Sequence, residues 1–185
     1  MIIGIKKLHG LVKKDKLVEN LCDRELNSPE GAGFDLRLAE VFELDNKGND
    51  YFLGALERNT PDVVSVAIND ETKPEEKNSF VFEPGKYYLI KTMERVNLPT
   101  TLSGIIFPRT TLFRSGLALF NGVVQPGYCG ELSFGICNLG KASIRVAFGA
   151  RVVHITFHEV QGEGNQYRGQ WQGGRVATDG KETQI

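Results

Sequence analysis

The sequence predicts an all-β protein, a sandwich or distorted barrel with few short helices. Two observations carry this. Short runs of β-branched and aromatic residues alternate apolar with polar positions, the period of a half-buried strand. Between them, 21 Gly and 7 Pro recur as turn signals, the pattern of a many-stranded sheet rather than of strands joined by crossover helices. At 185 residues and 41% hydrophobic, the chain can hold one well-cored domain and is short for two.

Taken in order, the first segment, MIIGIKKLHGLVKKDKLVENL, is amphipathic and basic. Gly4 and Gly10 argue against a long helix there, so a short helix is expected over 13–20. GAGFDLRLAEVFEL (31–44) reads as a pair of strands after a turn at Ser28 and Pro29. DNKG (45–48) reads as a hairpin turn. NDETKPEEKN (69–78) is polar and broken by proline, a solvated loop. Strands are expected at 79–83 and, after a turn at Pro84 and Gly85, through KYYLIKTMERV. Further strands are expected at 101–107, 130–138, 143–147 and 151–160. The single domain is expected to span 1–161. Residues 162–185 are rich in Gly and poor in apolar side chains. Alone they cannot offset the entropy of ordering, so a flexible tail is expected unless a ligand orders it.

Lys and Arg number 22 against 23 Asp and Glu, a net charge of -1. No global field recruits a nucleic acid polymer or a membrane, and any basic site is a local pocket. Cys22, Cys129 and Cys137 are odd in number and lack CxxC spacing, which argues against structural zinc and a disulfide framework. Cys137 is expected to face inward on a strand and Cys129 to lie in a turn. The first residues contain no apolar run of signal-peptide or membrane-span length. A cytoplasmic protein with reduced thiols is the expectation.

The chemistry concentrates in PRTTLFRSGLALFNGVVQPGYCGELSFGICNLG (108–140). Arg109 and Arg114 flank the hydroxyl pair Thr110 and Thr111. Arg presents a rigid bidentate fork to phosphate oxygens. The hydroxyls and neighbouring backbone N–H groups can complete a cradle for a polyphosphate. A Gly- and Pro-punctuated hairpin follows, then an alternating strand ending at Asn138.

Six strings, in family order, resemble the dCTP deaminase and trimeric dUTPase superfamily, nearer its deaminase branch. GAGFDLRL (31–38) resembles the AGYDLR motif. EPGKYYLIKTMERVNLP (83–99) resembles the stretch that precedes the phosphate motif. PRTTLFRSGL (108–117) resembles R-S-S-L-x-R-x-G-L with Thr in both Ser places. QPGYCGELSFGICNLG (125–140) resembles D-P-G-W-x-G-x-L-T-L-E-x-x-N. FGARVVHITF (148–157) resembles G-x-R-I-x-Q-x-x-F with His154 in place of Gln. YRGQWQGG (167–174) resembles the tail Y-R-x-x-Y-Q-G.

The resemblance implies a distorted jelly-roll-like β-barrel subunit of the dUTPase-like fold. It further implies a homotrimer with interfacial sites, a deoxynucleoside triphosphate as ligand, and Mg²⁺ carried by the triphosphate rather than by a protein metal site. Arg109 and Arg114 would hold the phosphates or the reacting base edge, with Thr110 and Thr111 beside them and Thr110 near the reacting water. The hairpin residues Asn121, Gly122, Val123, Val124, Gln125 and Tyr128 would cover base and sugar, Tyr128 lying near the deoxyribose. Tyr167, Arg168, Gln172 and Arg175 would close over the phosphates.

Two positions depart from the family pattern. Gln125 stands where dUTPase chemistry uses an Asp to deprotonate water. Gly135 stands where deaminase chemistry uses a Glu to shuttle protons. Gln has no useful basicity near neutral pH, and Gly has no side chain. Gln125, Arg114 and Thr110 therefore remain as the catalytic candidates of a hydrolase of this type. Glu131, four residues before Gly135, sits about 13 Å away along a strand and matches a structural Glu. Asp35 either orients arginines or is a buried carboxylate paired with one, and His154 reads as a satisfied core histidine. Three functions stay open: a dCTP deaminase releasing dUTP and ammonia, a dUTPase releasing dUMP and pyrophosphate, or a catalytically silent nucleotide binder. A different base is a further alternative.

Overall fold

A computed structural model of the chain describes residues 1–45, 47, 50–162 and 164–183, so most of the expected turn at 45–48 lies outside the described residues. The elements are α1 (Ile5–Asp15), β1 (Val18–Glu19), α2 (Asp23–Asn27), β2 (Phe34–Asp45), β3 (Glu57–Arg58), β4 (Asp62–Ile68), β5 (Ser79–Phe82), β6 (Tyr87–Asn97), β7 (Leu102–Pro108), α3 (Thr110–Arg114), β8 (Leu117–Phe120), β9 (Cys129–Asn138), β10 (Ile144–Ala147), β11 (Arg151–Glu159) and β12 (Glu182–Thr183). An eight-stranded sheet runs β7-β11-β2-β6-β9-β8, with β1 added to β6 and β4 to β2. A bridge from Gly104 of β7 to Val124, just beyond β8, brings the two edges together into a nearly closed barrel. The all-β expectation holds.

Alternation explains the barrel. Along β6 the side chains of Tyr88, Ile90, Thr92, Glu94 and Val96 are buried while their neighbours are not, as a period of two requires. Phe34, Leu36 and Leu38 of β2 meet Ile136 of β9 and Ile155 and Phe157 of β11 in one core, each such side chain contributing about 1.5–3 kcal/mol. Buried polar groups on the core face of these strands find partners. Glu94 accepts from both the backbone N and the Nε of Arg37, at 2.7 and 2.6 Å. Asn138 donates to Phe82 O and Ala142 O and accepts from Gly140 N.

Four local readings are corrected. The helix is Ile5–Asp15, not 13–20. Ile5, Leu8, Leu11 and Val12 share one face, with Leu8 wholly buried and the others packed on the core. That burial outweighs the cost of Gly10, about 1 kcal/mol, and Gly10 faces open space. Residues 31–44 hold one long strand rather than two. It changes partners along its length, from β11 at Phe34 to Arg37, to β6 at Leu38 to Phe42, with a register shift between Leu38 and Glu40. Cys129 opens β9 instead of lying in a turn. Cys137 is half-buried on the face away from the core, which Ile136 and Asn138 occupy.

Candidate functional site

The arginine motif and the 121–128 hairpin occupy different places within one chain. Arg109 precedes α3, a five-residue helix whose residues Thr110, Thr111 and Arg114 are exposed. The Arg109 guanidinium is not free: it is ion-paired to Asp35. Arg151 reaches the same carboxylate at 2.9 Å and His154 Nδ1 at 2.8 Å. Antiparallel pairing of β11 with β2 sets His154 directly opposite Asp35. Glu25 of α2 accepts from Asp35 N at 3.0 Å and pairs with Arg24 at 2.8 Å. Burial pushes the Asp35 carboxyl up, but the hydrogen bonds and charges of His154 and Arg109 outweigh it and hold the group at about 2. His154 is raised, first by its hydrogen bond with Asp35, against the opposing effect of burial. Asp35 is thus a buried carboxylate saturated by cations, and His154 is satisfied by Asp35 and, at 3.4 Å, by Ala32 O.

The hairpin forms the mouth of a cavity of about 370 Å³. Gly122, Val123, Val124, Gln125 and Tyr128 line it from one side. Leu89 of β6 and Ser133 and Gly135 of β9 form its floor, and Leu44, Pro61 and Val63 its far wall. The floor exists because β8 pairs with β9 only from Gly135 to Asn138, which leaves that edge of β9 free before Gly135. Tyr128 is pinned, its hydroxyl donating to Glu131 O at 2.7 Å, and burial pushes its phenol up to about 12. Asn121 lies just outside and donates to Ile106 O at 3.1 Å. Gln125 is exposed at the rim.

The tail runs across the cavity. Tyr167, Trp171, Arg175 and Val176 line it. Tyr167 packs edge-on against Tyr128, with centroids 5.5 Å apart. Gln172 fastens the tail to the hairpin, accepting from Cys129 N and donating to Gly127 O, both at 3.0 Å. The approach is close enough to require glycine: a Cβ on Gly130 would overlap the backbone of Gly174. Arg168 is exposed and outside the lining. Arg175 is paired with Glu182.

Among the described lining residues there is no carboxylate. Glu131 faces Arg95, at 3.8 Å, rather than the cavity. Nor is there an empty space where a carboxylate is missing from Gly135: a Cβ there would overlap the hydroxyl of Tyr87, which leans over the strand with its ring tilted against Phe120. Sequence reasoning missed Tyr87, Ser133, Trp171 and the far wall. Trp171 sits inside a string already singled out. A serine amid the apolar run ELSFGI was the available signal for Ser133.

Comparison with known proteins agrees with this architecture. The family model described as dCTP deaminase-like matches residues 4–160. The chain belongs to this family. A dCTP deaminase of Natronomonas pharaonis is 32% identical over 168 residues, covering 84% of this chain and 83% of that protein. A dUMP-forming dCTP deaminase of Dictyoglomus turgidum is 26% identical, covering 86% and 81%. Among solved structures, the 2′-deoxycytidine 5′-triphosphate deaminase of Agrobacterium tumefaciens superposes with a TM-score of 0.60 at 19% identity. That match covers 84% of this chain but 47% of the solved one, so the chain spans about half its length and the likeness speaks for the fold. No helix among the described residues is long and apolar enough to cross a membrane.

Proposed function

We propose that this dCTP deaminase-like chain binds a deoxypyrimidine triphosphate, with the base in the cavity between the 121–128 hairpin and Ser133–Gly135, and turns it over slowly or not at all. The observation that carries this is a well-formed cavity with aromatic and hydroxyl lining and no carboxylate among its described residues. Deamination adds water across the pyrimidine C4–N bond and expels ammonia, turning dCTP into dUTP. That requires a group to take a proton from water and hand one to the leaving nitrogen, assistance worth about 10²–10⁴-fold. Gln125, Ser133 and Tyr128 are neutral at pH 7 and supply hydrogen bonds rather than basicity.

The phosphates would be held by Arg109, Arg114, Thr110 and Thr111 of a neighbouring copy, in a homotrimer whose sites lie between subunits, because within one chain these residues do not line the cavity. Phe107, Phe113, Phe120 and Val123, all exposed near the motif or the cavity mouth, are apolar surface that such packing would cover. Tyr167, Arg168 and Gln172, in the 162–185 tail, would close over the nucleotide. Mg²⁺ would arrive on the triphosphate, taking phosphate oxygens and waters, and so needs no carboxylate from the chain.

A second reading, an active dCTP deaminase, is favoured by the names of the relatives, and the dUMP-forming ones add pyrophosphate release to that chemistry. One experiment separates the two: incubation with a panel of deoxynucleoside triphosphates and Mg²⁺, read for ammonia, pyrophosphate and monophosphate together, beside a binding measurement. Saturable binding with turnover at least about 100-fold below an active relative supports the first reading. Ammonia release from dCTP at a relative's rate supports the second. Light scattering that returns a monomer in the presence of nucleotide removes the interfacial site.

A further inference from the structure

One hydroxyl group on the cavity floor has no hydrogen-bond partner among the described residues, and a second, that of the exposed Tyr87, lies beside the floor over Gly135. Ser133 Oγ is buried and unpaired, although Ser133 lines the cavity. Such a group is costly to leave unmet; among the described residues the other buried side-chain polar atom without a partner, Gln170 Nε2, belongs to a residue outside the lining. The Tyr87 hydroxyl stands over Gly135, in the space that a side chain of residue 135 would enter. Tyr87 and Leu89 share one face of β6, Ser133 and Gly135 one face of β9, and Leu89 pairs with Gly135. The two hydroxyls therefore flank Gly135 on the same side of the sheet.

We infer that Ser133 and Tyr87 together form a neutral base-reading pair, and that this pair lets the cavity accept both an amino and a carbonyl group at the pyrimidine 4-position. The inference rests on the nucleotide-binding reading above and names its specificity. A hydroxyl can both donate and accept. It donates to a carbonyl oxygen, as in uracil, and accepts from an amino group, as in cytosine, by rotating one proton. A carboxylate only accepts when ionised, so it would favour an amino group and oppose a carbonyl. Burial keeps the Tyr87 phenol protonated well past neutrality, with the nearby Cys137 acting in the same sense. The donor is thus present throughout the physiological range.

Trp171 gives a direct readout, since it is the single Trp of the chain and lines the cavity. Titration of its fluorescence with dCTP and with dUTP in the presence of Mg²⁺ should return dissociation constants within about threefold of each other. Ser133→Ala and Tyr87→Phe should each weaken both nucleotides by about 3- to 10-fold, the range of one hydrogen bond. The urea midpoint of Ser133→Ala should at the same time stay level or rise, because it deletes an unpaired buried hydroxyl. Wild-type affinity in both variants, or a preference above about thirtyfold for one base in the wild type, overturns the pair. Absence of any saturable nucleotide response in the wild type overturns the binding reading itself.

Discussion

The two polar clusters of this barrel are opposites. At the start of β2, Asp35 is met by Arg109, Arg151 and His154, with Glu25 and Arg24 behind it. Near the other end of β2, nine residues on and roughly 30 Å away by strand rise, Leu44 lines a cavity where Ser133 Oγ has no partner among the described residues. The Asp35 carboxylate, met by three cations, has little left to offer a ligand. An unsaturated neutral cluster is poised to gain by binding. On the proposed reading, the difference separates what holds the fold from what would read a base, although the motif most suggestive of ligand binding, with Arg109 at its head, lies at the saturated end.

The comparison breaks most visibly if the ionic cluster is cut. Asp35→Ala would leave Arg109, Arg151 and His154 around a buried gap, and breaking a buried pair from one side typically costs about 3–5 kcal/mol. Urea unfolding should show a loss of that size; a loss below about 1 kcal/mol would mean that the arginines relax into solvent and the cluster is not structural.

At the cavity end the expected effect is a gain. Gly135→Glu alone should fail to restore deamination, because the new side chain meets the Tyr87 hydroxyl and overpacking costs about 1–3 kcal/mol. Paired with Tyr87→Ala, it should raise ammonia release from dCTP by about 100-fold or more, the scale of general-base assistance. Equal rates for the single and double variants would show that Tyr87 does not stand in the way.

Acidity tests the cluster more gently. Asp35 is held at about 2, below the ordinary carboxyl value. Its contribution, about 2 kcal/mol, is therefore present above pH ~4 and lost as pH falls toward 2. His154 is raised, so its contribution is complete below pH ~6.5 and is lost as pH rises through the raised value. Urea midpoints should peak between these limits, and His154→Gln should flatten the alkaline side. A midpoint that climbs steadily from pH 6 to 9 in the wild type would contradict the assignment.

The barrel was legible because alternation is local: the five buried positions of β6 can be counted in the sequence. The single strand β2 was less so, since its exchange of β11 for β6 depends on which strands come alongside. Gly10 was read as a helix breaker when it only spares one exposed position. The site divides in the same way. The hairpin and the tail string were visible as motifs, and both reach the cavity. That Arg109 would be tied to Asp35, 74 residues earlier, was not visible. Nor was the meeting of Tyr87 with Gly135, which only the pairing of β6 with β9 brings about.

The central claim is that the base enters the unsaturated end, while Arg109, meeting the phosphates from a neighbouring copy, keeps its pair with Asp35. Hydrogen exchange with and without dCTP and Mg²⁺ measures this directly. Exchange should slow in 121–135 and 166–176 when the cavity fills, with amides 34–37 unchanged. Protection confined to 34–37, or none in the hairpin and tail at saturating nucleotide, would contradict it.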